Sequence, residues 1–254
     1  MTLNEVRQKI AEEDELEERQ NNITSLPGNT PLSFLSFGLE LEVAQYVLQI
    51  YQILSHLLPC RKALADDVKL NPIPNPLDKI SRIDRRKSLR KKLIDFCRVQ
   101  AEIIPALASH IRTLSNGALD GNASQEPEEI PLLLPSDPLL NGSRLSICST
   151  TLIELEARLR EAQADEALGD LRNKLRARTY VNNYKVKNVT GQRMNIRARS
   201  WQASIDRQAN VCARRYRTAR AALLVLRGPG DWEQRLKLLR DDDIRAINDR
   251  VLTE

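Results

Sequence analysis

Apolar residues recur along this chain at intervals of three and four, with no sustained run of alternating polar and apolar positions, so the pattern predicts helices. Leu41, Ala44, Val47, Leu48, Tyr51, Leu54 and Leu58 form one such stripe, entered through Thr30-Pro31, a capping residue followed by proline at the first helical position. Pro59 is expected to kink or end this helix, because proline lacks the N–H and clashes with the preceding turn, with Cys60–Leu70 continuing as a second piece. A second stripe runs from Leu77 to Ile104 through Ile80, Ile83, Leu89, Leu93, Phe96 and Val99. Pro105 bends the chain there, and Ala106–Leu114 adds one further helical piece. Ahead of these, Leu3–Arg19 reads as a short acidic helix, loosely docked.

The C-terminal half opens on Thr151-Leu152-Ile153-Glu154, which fits a capping box. The helix that follows carries Leu155, Leu159 and Ala162, then Leu168, Leu171 and Leu175. That change of face implies contact on two sides or an irregularity near Gly169. Glu154–Arg158, Glu156–Arg160 and Asp170–Lys174 stand four apart, as on an exposed helix. After a break at Thr190-Gly191, a second long helix places Trp201, Ile205, Cys212, Tyr216, Ala219, Leu223 and Leu226 on one side. Gly228-Pro229-Gly230 stops it, and Asp231–Ile247 forms a short amphipathic tail.

The fold class expected is therefore all-α: a helical bundle joined by a long linker to a long antiparallel helical hairpin, compatible with a coiled coil. The boundaries read as an acidic N-terminal segment and linker (1–30), a helical domain (31–114), a flexible linker (115–143) rich in Gly, Asn, Ser, Pro and acid, and a basic hairpin with its tail (144–254). Aromatic residues make up only 4%, which also favours helix over sheet. The one strand-like run, Ile130–Leu134, is interrupted by Pro131 and closed by Pro135.

Charge changes the picture more than composition does. The net charge is +5, yet Arg172–Arg220 holds fourteen Lys/Arg and a single acid, Asp206. That segment carries 14 − 1 = +13, and the remainder 5 − 13 = −8. Such asymmetry points to a polyanion or to an acidic partner elsewhere in the chain. Arg176, Arg178, Lys185, Lys187, Arg193, Arg197, Arg214 and Arg217 are the candidate nucleic-acid contacts, since rows of Lys and Arg gain affinity by releasing counterions from phosphates. Tyr180 and Tyr184 lie among them, placed either to stack on bases or to pack in the hairpin. The competing account packs the charges beside the acidic Glu154–Asp170 region or the acidic N-terminus. A second basic run, Arg85, Arg86, Lys87, Arg90, Lys91 and Lys92, reads as a nuclear import signal, a phosphate patch or a solvated helix face.

Catalytic patterns are absent from the sequence. His56 and His110 sit in apolar helical stretches, and no Gly-rich phosphate loop or nucleophile elbow occurs. Cys60, Cys97, Cys148 and Cys212 are too scattered for a metal site and read as buried small hydrophobes. Leu32–Leu58 is interrupted by Glu40, Glu42, Gln45, Gln49, Gln52 and His56, which argues against a membrane span. The expectation is a non-enzymatic protein with no cofactor, metal, small-molecule substrate or membrane association. It is placed inside the cell, in the nucleus rather than the cytoplasm.

Five strings carry a resemblance: Leu159–Leu168 (LREAQADEAL), Gly191–Ala198 (GQRMNIRA), Tyr216–Ala222 (YRTARAA), Gly230–Glu233 (GDWE) and Leu239–Arg245 (LRDDDIR). Together they resemble the helical C-terminal region of fungal Kyakuja-Dileera-Zisupton transposase-related proteins over Leu145–Ile247, with a fainter match over Phe37–Ile111. Members of that family carry upstream a cysteine-cluster domain and a nuclease-like core with catalytic acids, neither of which this sequence shows. No catalytic residue is carried over. The resemblance implies a detached helical tail of a transposase, either a degenerate relic or an accessory module; with the basic stretch of Arg172–Arg220, the leading expectation is a module that binds nucleic acid non-specifically or helps assemble a DNA-bound complex. A protein–protein scaffold, through self-association or an acidic partner, and a non-functional transposon relic are the alternatives.

Overall fold

The computed structural model describes residues 2–21, 30–64, 76–108, 126–140, 142–188 and 192–245; within these helices, side chains at 14–21, 51–64, 76–82, 188, 192–193, 196 and 200 are not described. The fold is all-α, with no strand among the described residues. Seven α-helices follow one another among the described residues: α1 (Leu3–Asn21), α2 (Pro31–Leu64), α3 (Pro76–Ile103), α4 (Arg144–Ile147), α5 (Thr150–Asn188), α6 (Gln192–Arg227) and α7 (Trp232–Arg235). They build two compact units, one of Thr24–Thr150 and one of Met1–Ile23 with Thr151–Glu254. None of the helices is long and apolar enough to cross a membrane, among the described residues.

In the unit of Thr24–Thr150, α2 begins where expected, with the Thr30 hydroxyl accepting from the Ser33 N–H at 3.2 Å. Pro59 does not end it: the helix continues to Leu64. A helix loses one hydrogen bond at an internal proline and can carry on through the bonds on either side. Phe34, Leu35, Leu39, Leu41 and Leu48 of α2 are buried, as are Leu89, Leu93, Phe96 and Cys97 of α3. Phe96 stacks on Phe34 with ring centroids 4.9 Å apart and meets Phe37 edge-on at 6.1 Å. Gly38 permits this approach, because a Cβ there would lie 2.8 Å from Leu134 and 3.1 Å from Phe96. Ile83, expected on the apolar face, is 52% exposed.

Residues 126–140, expected within a flexible linker, complete this core instead; residues 115–125 lie outside the described residues. Ile130, Leu132, Leu133, Leu134 and Leu140 are buried. A buried non-helical segment has carbonyls with no ladder partner, and each needs a donor. Two buried glutamines supply them. Gln45 Nε2 donates to the carbonyls of Pro127 (3.0 Å) and Ile130 (2.7 Å). Gln100 Nε2 donates to those of Leu132 (2.8 Å) and Leu133 (3.0 Å). Gln49 adds a third donor, to Glu128 at 2.8 Å. The helical piece expected over Ala106–Leu114 begins as a 3-10 turn at Pro105–Leu107, and residues 109–114 are outside the described set.

In the other unit, α1 is held more firmly than its acidic composition implied. Leu3, Val6 and Ile10 are buried. Thr2 and Glu5 cap it reciprocally, and Arg158 of α5 grips Glu13 with both guanidinium nitrogens at 2.7 and 3.1 Å. The N-terminal segment thus belongs to the same compact unit as α5 and α6. Helix α5 runs through Gly169 without interruption. It is buried on several faces between Leu152 and Leu171, which resolves the switching stripe as contact on two sides. Glu156 and Arg160, expected on an exposed face, pair at 3.1 Å while 0% and 1% exposed. Glu154, the expected capping-box acid, is taken up by Arg227.

Candidate nucleic-acid interface

Helices α5 and α6 run antiparallel. Arg178 of α5 meets Asp206 of α6 at 3.2 Å, Arg215 meets Glu166, and Arg227 reaches back to Glu161 and Glu154, so α6 ascends as α5 descends. Alanines at 157, 164 and 167 of α5 face Tyr216, Ala219 and Leu223 of α6 in a buried cluster. Leu171, Ala209 and Ala213 extend the contact.

This antiparallel run sets the acidic first half of α5 against the arginine-rich second half of α6. Arg215 pairs with Glu166 and lies 3.6 Å from Asp170. Arg227 bridges Glu154 (2.9 Å) and Glu161 (2.7 Å), and Arg235 binds Glu161 and Asp165. Burial by itself would lower the Arg227 pKa, but the hydrogen bonds to Glu161 and Glu154 outweigh it and hold the guanidinium above its ordinary value. Arg217 and Arg220 do something different. Each donates its Nε–H at 2.9 Å to a backbone carbonyl of the C-terminal tail, Leu239 for Arg217 and Leu236 for Arg220. Their terminal nitrogens pair with Asp241 (2.6 Å) and Glu233 (2.7 Å). Tyr216 donates its hydroxyl to the Lys237 carbonyl, and Arg220 lies 5.5 Å over the Trp232 ring.

The chain can turn back here because Gly228 adopts φ +74°, a left-handed conformation, as its N–H closes on the Leu224 carbonyl at 3.0 Å. Trp232 then caps the turn from its indole N–H to Gly228 (3.0 Å), and Leu236 is driven fully into the α5–α6 cluster. The expected amphipathic tail is a strap seated on both helices through Leu236, Leu239 and Ile244.

What remains outside this interlock is the region from Leu171 to Ile205, which contains nine Lys/Arg and no acid. At about 100° per residue, Arg172, Arg176, Tyr180, Asn183 and Lys187 fall on one face of α5, a stripe about 22 Å long. All five are exposed. Leu171, Lys174, Leu175, Arg178, Val181 and Lys185 form the opposite, buried or half-buried side. On α6, Arg197, Arg199, Arg207 and Arg214 are exposed. Among the described residues, Arg172, Arg176, Lys187, Arg197, Arg199 and Arg207 enter none of the salt bridges described for this unit.

The structure therefore divides the eight candidate contacts. Arg176, Lys187, Arg197 and Arg214 stand at the surface. Lys185 is half-buried on the inward side. Arg178 is committed to Asp206, and Arg217 to the tail strap, so neither presents a free cation. The side chain of Arg193 lies outside the described residues. In the second run, Arg85, Lys87, Lys91 and Lys92 are exposed and Arg90 is half-buried. Arg86 turns inward to Glu126 at 2.9 Å and to Glu128, whose side chain is 0% exposed. A structural ion pair thus takes one member of that run.

Arg172, Arg199 and Arg207 join the exposed set without being among the eight candidates, although the four-residue spacing of Arg172 and Arg176 marks a shared helix face in the sequence. Trp201, expected in the apolar stripe, is 54% exposed. The stripe of α6 runs instead through Ala198, Ile205, Ala209, Ala213, Tyr216, Ala219 and Leu223. Tyr180 and Tyr184 are 67% and 43% exposed, so neither is a buried core residue. Cys97 and Cys148 are buried and Cys212 half-buried; the Cys60 side chain and His110 lie outside the described residues. No group of His, Cys, Asp and Glu suited to holding a metal ion occurs among the described residues. No family model, curated protein or solved structure matches the chain.

Proposed function

We propose that the protein is a non-enzymatic helical module, transposase-derived and nuclear, that binds nucleic acid without sequence specificity through the acid-free halves of α5 and α6. One observation carries the reading: Arg172, Arg176 and Lys187 share an exposed face of α5, while the nearby arginines with structural duties are already paired. A row of uncompensated cations at this spacing faces a phosphate backbone with little rearrangement, and its binding energy comes from counterion release rather than base reading. The resemblance to transposase-related tails agrees with a DNA-bound context.

Fluorescence anisotropy of a labelled 20-base-pair duplex across 50–300 mM salt tests this. With about five phosphates neutralised, log K falls against log salt with a slope of about −4.5. Changing Arg172, Arg176 and Lys187 together to Glu removes binding at physiological salt. The corresponding Ala variants flatten the slope by about 2.7, roughly 0.9 for each cation lost. No binding of duplex or single strand at 50 mM salt would sink the reading and favour a protein-binding scaffold.

A further inference from the structure

The Arg178–Asp206 ion pair fixes how the two basic half-helices face one another. Tyr184 lies six residues beyond Arg178 and Trp201 five residues before Asp206. On antiparallel helices both displacements run the same way along the axis, by about 9 Å and about 7.5 Å, so the two rings come to nearly one height. Rotation at about 100° per residue carries both away from the edge holding Arg178 and Asp206 to the opposite edge of the helix pair. Tyr180 sits one turn from Tyr184, further out on α5. Arg197 stands four residues before Trp201 on α6 and is exposed.

This edge thus gathers three aromatic rings that are 67%, 43% and 54% exposed, in a stretch with nine cations and no acid. Duplex phosphates would engage the cations and leave the rings wet, because paired bases hide their faces in the stack. Unpaired bases offer those faces, and stacking on Tyr or Trp requires no particular base. We infer that the Tyr180–Tyr184–Trp201 edge is a stacking platform for unpaired bases, and that single-stranded nucleic acid is the preferred ligand over duplex. The inference rests on the nucleic-acid reading above and names its substrate class.

The test compares labelled dT20 with a 20-base-pair duplex on the full chain, across the same salt series. Wild type is expected to bind dT20 at least fivefold more tightly than duplex. Trp201→Ala should lower dT20 affinity by about 5- to 150-fold, the range for one stacked base. It should leave duplex affinity and the dT20 salt slope unchanged, since no charge is lost. Trp201→Phe, which keeps a ring, should retain most of the affinity; circular dichroism of both variants checks the helices. Equal or tighter duplex binding, or dT20 affinity indifferent to Trp201→Ala, would overturn the inference while leaving non-specific binding standing. Absence of binding to both ligands would overturn the nucleic-acid reading itself. Binding to phosphatidylserine vesicles but not to dT20 would reassign the aromatic–basic edge to a lipid surface and refute the proposal.

Discussion

Leu236→Ala probes the strap that closes α5 onto α6. Leu236 is fully buried among Ala157, Ala164, Ala167, Tyr216, Ala219 and Leu223. The substitution removes three carbons, worth about 2.4 kcal/mol of transfer at about 0.8 kcal/mol each. The four alanines in the wall cannot reach into the space and Tyr216 is held by its hydrogen bond to the Lys237 carbonyl, so a cavity term adds to give about 3–4 kcal/mol. With a urea dependence of about 2 kcal/mol per molar, the midpoint should fall by about 1.5–2 M.

The assay is urea unfolding followed by tryptophan emission in a Trp201→Phe background. The chain has two tryptophans, both in this unit, so Trp232 on the strap becomes the sole reporter. Trp201 is more than half exposed, so that background change should cost no more than about 0.5 kcal/mol. Leu238→Ala, two residues away and 62% exposed, is the control and should leave the midpoint in place. If the strap releases before the helices do, Trp232 emission will change ahead of the circular dichroism signal in the variant. A Leu236→Ala midpoint within about 0.3 M of its parent by both probes would refute the packing argument, since that shift is under about 1 kcal/mol.

Arg86→Ala strands the Glu128 carboxylate and should destabilise the Thr24–Thr150 unit by about 3 kcal/mol, the lower end for a broken buried pair because Arg86 retains some solvent contact. Joint replacement by Met at 86 and Leu at 128 should recover most of that loss in thermal melts, and failure to recover it would show that the pair supplies more than mutual neutralisation. Burial pushes the Cys97 thiol from its ordinary 9.0 up to about 11. A pKa raised on folding contributes stability that is present below about pH 9 and lost as pH climbs towards 11, so the wild-type chain should lose more stability over that window than Cys97→Ala does; parallel pH profiles would contradict the burial argument.

The arginines show why counting charge does not locate a surface. Arg176, Arg178 and Arg217 look alike in sequence, each in a helical basic stretch. Two of them are held by Asp206 and by the tail strap, and the difference is made by residues 24 to 28 positions away. The same holds for Arg86, whose partners Glu126 and Glu128 are about forty residues distant. A charge run announces cations, and only the fold says which of them have acids waiting.

The chain's own periodicity determined the helices and part of the core. Three-and-four spacing is a local property, and Leu89, Leu93, Phe96, Ile205, Tyr216 and Leu223 are buried as it required. Capping by Thr30 and the stop at Gly228 were likewise legible, because each acts within a few residues through backbone geometry. Tertiary structure alone decided the rest. Ile130–Leu134 became core when Gln45 and Gln100 satisfied its carbonyls from more than thirty residues away. Trp201 faced outward because alanines at 198, 209 and 213 let α5 and α6 approach closely along another side of the helix. Hydrophobic spacing states which residues can share a face; which face is buried depends on the partner it finds, and that information is not local.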